Sequence, residues 1–104
     1  MPKYVIAYHG GSMPETAAAQ EKTMAAWIGW FASLGEAVID GGNPTGQAKT
    51  VKADGSVVNG GGANPLSGYS LLTAADIDAA VVLAKGCPIL EAGGSVEVAE
   101  AIDM

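Results

Sequence analysis

The sequence is short of the side chains on which many enzymes and metal proteins depend. It has one cysteine, Cys87, and one histidine, His9, which lie far apart in the chain. One cysteine excludes a disulfide within the chain and fits a reducing compartment. We therefore predict a cytoplasmic protein in which Cys87 is a small apolar residue at a helix end. One histidine and one cysteine make no recognisable set of metal ligands, so we expect neither a metal nor another cofactor.

Basic residues are also scarce. Lysine and arginine together number 5 against 11 aspartate and glutamate residues, which gives a formal net charge of −6 at pH 7. Such an acidic chain lacks the positive surface that nucleic-acid binding requires. It also lacks an apolar run of membrane-spanning length and a basic start followed by an apolar core. We therefore predict no membrane segment and no signal peptide. The length predicts a single domain, residues 1–104.

The second half of the chain holds the clearest pattern, which is a strand, a helix and a strand. Residues 69–73 form a short β-rich run, and Thr73 with Asp76 has the spacing of a capping box that starts a helix. Apolar residues at helical spacing follow, and Gly86 is suited to the left-handed conformation that ends a helix. Residues 95–101 then alternate valine with small or acidic residues, as a half-buried strand does. Because so short a helix is marginal by itself in water, it needs a sheet to pack on.

The first half of the chain shows the same order of elements. Residues 4–9 are apolar on both alternating faces, which predicts a central strand. Ser12 and Glu15 have capping-box spacing and predict the start of a long helix, after which residues 36–40 predict a second strand. The helix carries an apolar stripe that we expect to be buried, with Trp30 at its flank. The members of this stripe are Met24, Trp27, Ile28, Phe31 and Leu34.

A β-hairpin separates the two halves. Residues 49–58 contain two short β-rich runs around Asp54-Gly55. That dipeptide is typical of a two-residue type I′ turn, which needs positive φ at both central positions. We place the insertion at about residues 47–58. It carries two lysines and few large apolar side chains, so we expect a peripheral arm.

The order of these elements predicts an α+β fold. Without the hairpin it is the split βαβ, ferredoxin-like arrangement, in which a four-stranded antiparallel sheet carries helices on one face only. The other face then needs a cover. Few charged residues are available to solvate it, since they make up 15% of the chain. We therefore predict that a second copy covers this face and forms a two-fold homodimer.

Several short motifs, taken in order, resemble those of a known family. The matching segments are Lys3-Tyr4-Val5-Ile6-Ala7-Tyr8, Trp27, Leu34, Asp40-Gly41-Gly42-Asn43-Pro44, Lys49-Thr50-Val51, Asp54-Gly55, Gly68-Tyr69, Ala79-Ala80, Ala84-Lys85-Gly86-Cys87-Pro88 and Gly94-Ser95-Val96-Glu97-Val98. In this the chain resembles the YCII-related family, also called DGPF-domain proteins, of the dimeric α/β-barrel superfamily. The resemblance implies a ferredoxin-like fold and a dimeric α/β barrel.

The chain departs from that family at two places. Asn59-Gly60-Gly61-Gly62 stands where Asp-Gly-Pro-Phe is expected. The first helix also lacks the histidine of the His–Asp pair proposed for some members. The resemblance therefore supports the predicted fold and dimer more than it supports a catalytic role.

His9 and Asp40 are the candidate catalytic residues. They end the first and second strands, which run parallel with one strand between them in the split arrangement, so both side chains are expected at one edge of the sheet. A carboxylate beside a histidine orients the imidazole for general acid/base chemistry. The alternative is structural, with a hydrogen-bonded histidine at a strand end and an aspartate that caps a turn.

Polar residues near the glycine runs are the candidate ligand-binding residues. Glycines let backbone N–H groups approach a ligand, although turn formation explains these loops equally well. Tyr69 is a candidate pocket wall and Trp30 a candidate dimer contact or pocket wall, whereas Trp27 is more typical of the core. The polar candidates are Asn43, Asn59, Asn64 and Ser67.

Two functions fit these features. The first is a small cytoplasmic homodimer that binds a small organic molecule in a pocket at the sheet edge. In that case His9 and Asp40 carry out cofactor-free acid/base chemistry of the isomerase or lyase type, which the superfamily resemblance suggests. The alternative is a non-catalytic ligand-binding or assembly module.

Overall fold

The computed structural model describes residues 1–12 and 14–104. In chain order its elements are β1 (Lys3–His9), α1 (Ala17–Leu34), β2 (Val38–Asp40), β3 (Lys49–Val51), β4 (Val57–Asn59), β5 (Leu66–Thr73), α2 (Ile77–Ala84) and β6 (Ser95–Ala101). Two 3₁₀ turns, Gly35–Ala37 and Pro88–Leu90, follow the two helices. Neither helix in the described ranges has the length and apolarity that crossing a lipid bilayer requires.

The strands form two antiparallel sheets. The larger sheet has the order β2-β5-β1-β6, and the hairpin β3-β4 forms a two-stranded sheet of its own. The predicted α+β fold with a four-stranded antiparallel sheet and an added hairpin is therefore confirmed. The order of elements and strands is consistent with the split βαβ arrangement, and β1 is a central strand as predicted.

The core lies between the helices and one face of this sheet. Tyr4, Ile6 and Tyr8 alternate along β1 and are buried, and Ser70 and Leu72 of β5 lie beside them in register. The intervening residues of both strands point to the opposite face, which neither described helix covers. We call this second surface the helix-free face.

Both helices begin later than the sequence predicts. The side chain of Thr16 caps α1 by accepting a hydrogen bond from the Ala19 N–H at 3.1 Å, so Ser12 and Glu15 are not the cap. Met13, which belongs to the predicted helix start, lies outside the described residues. Asp76 caps α2 by accepting from the Ala79 N–H at 2.8 Å. Thr73 cannot serve there because it remains paired in β5.

The buried side of α1 matches the predicted stripe in part, because Trp27, Phe31 and Leu34 pack against the core. Met24 and Ile28 are 66% and 64% exposed, whereas Trp30 is 7% exposed. The Trp30 indole N–H donates to the Leu83 carbonyl of α2 at 3.1 Å. This contact between the helices keeps the Trp30 side of α1 facing the protein interior. Trp30 therefore belongs to the core, which corrects its prediction as a pocket wall. Apolar residues occur around most of α1, so their spacing did not decide which side is buried.

The hairpin turn is longer than predicted. Gly55 has a φ of +86°, but no non-glycine residue in the described ranges has a positive φ, so Asp54 cannot occupy a type I′ turn. The Lys52 N–H donates to the Ser56 carbonyl and the Gly55 N–H donates to the Lys52 carbonyl, which encloses a three-residue loop. Hydrogen bonds from Ser56 to the Asp54 carboxylate stabilise this loop and lower the pKa of Asp54.

Candidate functional site

A cleft of about 530 Å³ opens between α1 and the β5 side of the sheet. Residues 41–44, which follow β2, form one wall of the cleft (the far wall), and the first half of α1 forms the opposite wall. Aromatic and aliphatic side chains predominate in it. The described residues that line it are Tyr8, Pro14, Gln20, Thr23, Met24, Trp27, Phe31, Gly41, Gly42, Asn43, Pro44, Ser67, Gly68, Tyr69 and Ile89.

Interlocked aromatic rings make the cleft floor. Tyr8 and Trp27 meet edge to face, with ring centroids 5.0 Å apart and planes at 90°. Phe31 lies 6.0 Å from Trp27 on the same helix, and Trp30 packs behind both rings at 5.8 Å and 5.0 Å. Edge-to-face pairs are favourable because the positive ring edge meets the negative face. The floor is therefore rigid and apolar.

Backbone pairing with β5 holds the far wall in place. The Tyr69 N–H donates to the Asn43 carbonyl at 3.2 Å, and Pro44 forms an isolated bridge with Gly68. The Gly42 N–H donates to the Asp40 carboxylate at 2.8 Å. Gly42 lies so close to the Tyr69 carbonyl that a side chain there would overlap it. The glycine run thus serves close packing of two backbones beside the cleft.

A buried chain of hydroxyl groups also ties this wall to the sheet. Ser70 donates its hydroxyl proton to the Gly41 carbonyl at 2.7 Å. Since the Ser70 oxygen is also 2.7 Å from the Tyr8 hydroxyl, Tyr8 must be the donor of that second bond. Burial raises the pKa of Tyr8 to about 12, which keeps the phenol neutral and able to donate. Tyr8 is thus a neutral anchor of the cleft.

A β-bulge places Ser67 at the cleft. Tyr8 pairs with Gly68, but its neighbour His9 pairs with Leu66, so Ser67 is the extra residue on β5. The Ser67 carbonyl accepts from the Thr45 N–H at 3.1 Å. Its hydroxyl oxygen is buried and has no hydrogen-bond partner among the described residues. Bulges re-aim side chains in this way beside functional sites.

His9 makes structural contacts outside the cleft. Its Nδ1 lies 2.9 Å from the Asn64 carbonyl oxygen and 3.2 Å from that of Pro65. Carbonyls only accept, so Nδ1 is the donor in both contacts. Its Nε2 is 3.2 Å from the Glu97 carboxylate, and the residue is 8% exposed. His9 therefore fastens the chain that leads into β5 to the neighbouring strands.

The expected pairing of His9 with Asp40 is wrong. Asp40 pairs in register with Leu71, which itself pairs with Val5, whereas His9 pairs with Leu66. Asp40 is thus level with Val5 of β1. His9 lies four residues further along β1, a distance of about 13 Å. Its carboxylate accepts the Gly42 N–H, which is the turn-capping role of the structural alternative. The prediction failed because β2 pairs with β5 only at Leu72 and Leu71, far from Leu66, which is the partner of His9.

The predicted ligand-binding residues divide into two groups. Asn43, Ser67 and Tyr69 line the cleft. The Asn43 amide already donates a hydrogen bond to the Tyr69 hydroxyl at 3.4 Å. Asn59 lies in β4 and Asn64 in the loop between β4 and β5, and neither is among the described lining residues. The sequence analysis missed the contributions of Tyr8, Thr23 and Gln20. Tyr8 gave no signal beyond its place in an apolar strand.

Cys87 is a buried core residue. It is 2% exposed, and burial raises the pKa of its thiol to about 11. The sequence prediction of a small apolar residue is confirmed. The described residues also contain no cluster of three or more His, Cys, Asp or Glu side chains that is arranged to hold a metal ion.

Comparison of the chain with family models, with curated proteins and with solved structures finds no match. The resemblance to the YCII-related family therefore stays a prediction, and the cleft has to be interpreted from its own geometry.

Proposed function

We propose that this protein binds a small organic molecule in the cleft and acts as a ligand-binding module without catalysing a reaction there. The aromatic lining of the cleft is the observation that carries the proposal. Ligand sites are concave, mainly apolar and contain a few polar groups that fix orientation. The volume of about 530 Å³ lies within the usual range for such sites, which is roughly 300–1,000 Å³.

The ionisable groups of the lining favour binding over acid/base chemistry. Among the described lining residues only tyrosines ionise, and the pKa of Tyr8 is raised to about 12. General acid/base catalysis works best when the pKa of the catalytic group is near the operating pH. His9 and Asp40 are engaged elsewhere, with backbone groups and Glu97. The ligand-binding alternative is therefore the better supported of the two predicted functions.

A titration with 1-naphthol, followed by NMR, tests the site. The chain has two tryptophans, so its two indole N–H signals report separately on Trp27, which lines the cleft, and on Trp30, which does not. We expect the Trp27 signal to shift more than the Trp30 signal. The Thr23→Phe change fills the cleft and should weaken binding at least about tenfold, because one aromatic ring excludes another.

The matched control for this test is Ala25→Phe, which adds the same ring at an exposed position of α1 outside the cleft lining. Its affinity for 1-naphthol should stay within about twofold of the original chain. Equal binding by all three proteins, or an unshifted Trp27 signal, would place the ligand elsewhere and refute the proposal.

We further propose that the helix-free face packs against a second copy, in the dimeric α/β-barrel arrangement. Val5 and Leu71 are paired neighbours on this face, and Val5 is 36% exposed. The molecule is a slab of 43 × 41 × 18 Å, and the buried core that both described helices contact lies on the opposite face of the sheet. Burying these aliphatic residues against a second copy removes apolar surface from water, which favours association.

Light scattering during gel filtration tests this arrangement. We expect about twice the chain mass of 10.4 kDa at micromolar concentration. Leu71→Lys puts a charge into the proposed interface and should weaken dimerisation by about 30-fold or more. Leu90→Lys, at an exposed leucine of a 3₁₀ turn, serves as the control and should remain dimeric. A single-chain mass for the unaltered protein would refute the dimer.

A further inference from the structure

We infer that Ser67 is the specificity-determining residue of the cleft, and that the ligand is a flat, uncharged aromatic molecule with one hydroxyl or carbonyl oxygen. This inference rests on the proposed binding function and adds the chemical class of the ligand. Four observations carry it, namely the bulge in β5, the unpartnered hydroxyl, the position of Ser67 between two hollows and the charges of the lining.

The bulge takes Ser67 out of the regular alternation of β5. Regular alternation along β5 would send Ser67 to the side opposite Gly68, away from the helices. Ser67 nevertheless lines the cleft together with Thr23 and Trp27 of α1. Two hydrogen bonds hold this irregular backbone, because Thr45 donates its N–H to the Ser67 carbonyl and its hydroxyl to the Leu66 carbonyl. The backbone at Ser67 is thus held in place by Thr45.

The Ser67 hydroxyl lacks the partner that a buried polar group normally has. Among the described residues its oxygen is the one buried side-chain polar atom without a hydrogen bond. Most buried polar atoms in proteins are paired, and an unpaired one costs free energy. Because this oxygen has almost no solvent-accessible surface, the serine side chain has to turn toward the cleft before a ligand oxygen can supply the missing bond.

Ser67 also lies where two hollows meet. A second hollow of about 260 Å³ adjoins the cleft, and Ser67, Thr23, Trp27 and Ile89 line both of them. A molecule that fills both hollows therefore contacts Ser67. One polar atom at this point is enough to fix the orientation of an otherwise apolar ligand.

The charges near the cleft favour a neutral ligand. No lysine, arginine, aspartate or glutamate is among its described lining residues. A charged ligand of either sign would lose its hydration without gaining an opposite charge. The aromatic floor of Tyr8, Trp27 and Phe31 instead suits a flat ring system.

Four naphthalene probes separate these features in fluorescence or NMR titrations. They are 1-naphthol, naphthalene, 1-naphthoate and (1-naphthylmethyl)ammonium. We expect 1-naphthol to bind at least tenfold more tightly than either charged probe. Ser67→Ala should weaken 1-naphthol binding by about 5- to 10-fold, which corresponds to the loss of one hydrogen bond. The same change should leave naphthalene binding within twofold, as should the control Ser95→Ala at an exposed position.

Thermal unfolding gives an independent readout. Removing a buried hydroxyl that has no partner should leave the Tm of Ser67→Ala within about 2 °C of the original value or raise it. A large fall in Tm would mean that the hydroxyl already has a partner and would overturn the inference. Equal losses of 1-naphthol and naphthalene affinity, or tight binding of a charged probe, would also overturn it while the proposed binding function stands. If no probe binds the original chain, the proposed function itself fails.

Discussion

Replacing Gly42 with alanine is expected to lower the free energy of unfolding by about 3 kcal/mol or more. Gly42 has a φ of +71°, a conformation that costs an alanine roughly 1–2 kcal/mol. The added methyl group would also overlap the Tyr69 carbonyl oxygen and lie 2.7 Å from its carbon. Backbone atoms cannot rotate away as a side chain can, so the wall of the cleft must move. Urea unfolding followed by tryptophan fluorescence measures the change.

The preceding glycine provides the matched control. Gly41 has no positive φ, and a methyl group there meets nothing within 4 Å. Gly41→Ala should therefore change the free energy of unfolding by less than about 0.5 kcal/mol. The displaced wall in Gly42→Ala should also weaken 1-naphthol binding. Equal stabilities for the two variants would show that the approach to Tyr69 is not tight.

Replacing Trp30 with alanine is expected to destabilise the protein by about 3–5 kcal/mol, the usual range for removal of a buried tryptophan. Its indole is packed against Tyr8, Trp27 and Phe31 at centroid distances of 6.3, 5.8 and 5.0 Å. The loss would also leave the Leu83 carbonyl without its donor. Trp30→Phe should cost less, about 1–3 kcal/mol, because it keeps much of the packing and removes the hydrogen bond.

Ile28→Ala is the informative comparison, since the predicted apolar stripe includes Ile28 and leaves Trp30 at the flank. The structure has Ile28 64% exposed, so its truncation should cost less than about 1 kcal/mol. Urea unfolding distinguishes a helix that buries Ile28, as the sequence predicts, from one that buries Trp30, as in the structure. A larger loss for Ile28→Ala than for Trp30→Phe would mean that the stripe deduced from the sequence is the buried one.

The conformation of Gly86 belongs to the same contact. The sequence suggests a left-handed cap there, but Gly86 is not among the glycines with positive φ. A methyl group on Gly86 would lie 3.2 Å from the Trp30 indole nitrogen. The glycine is therefore needed for close approach of the two helices. Glycine in a sequence signals an unusual backbone or a close contact without distinguishing between them.

The amino-acid sequence by itself determined the order and type of the elements. An apolar run specified β1 and alternating valines specified β6, which spans Ser95–Ala101 as predicted. The hairpin and the antiparallel four-stranded sheet also followed from local patterns. These features depend on neighbours a few residues apart, whose spacing sets which side chains share a face.

Tertiary structure alone decided the buried side of α1, the partners of His9 and the direction of Ser67. His9 donates to carbonyls 55 and 56 residues away, which no local pattern encodes. The bulge at Ser67 arises where the register of β1 against β5 shifts between Tyr8 and His9. Each of these features is set by contacts between distant segments, and the side chains involved are compatible with several local arrangements. The cleft therefore became visible only when α1, β5 and the end of β2 were brought together.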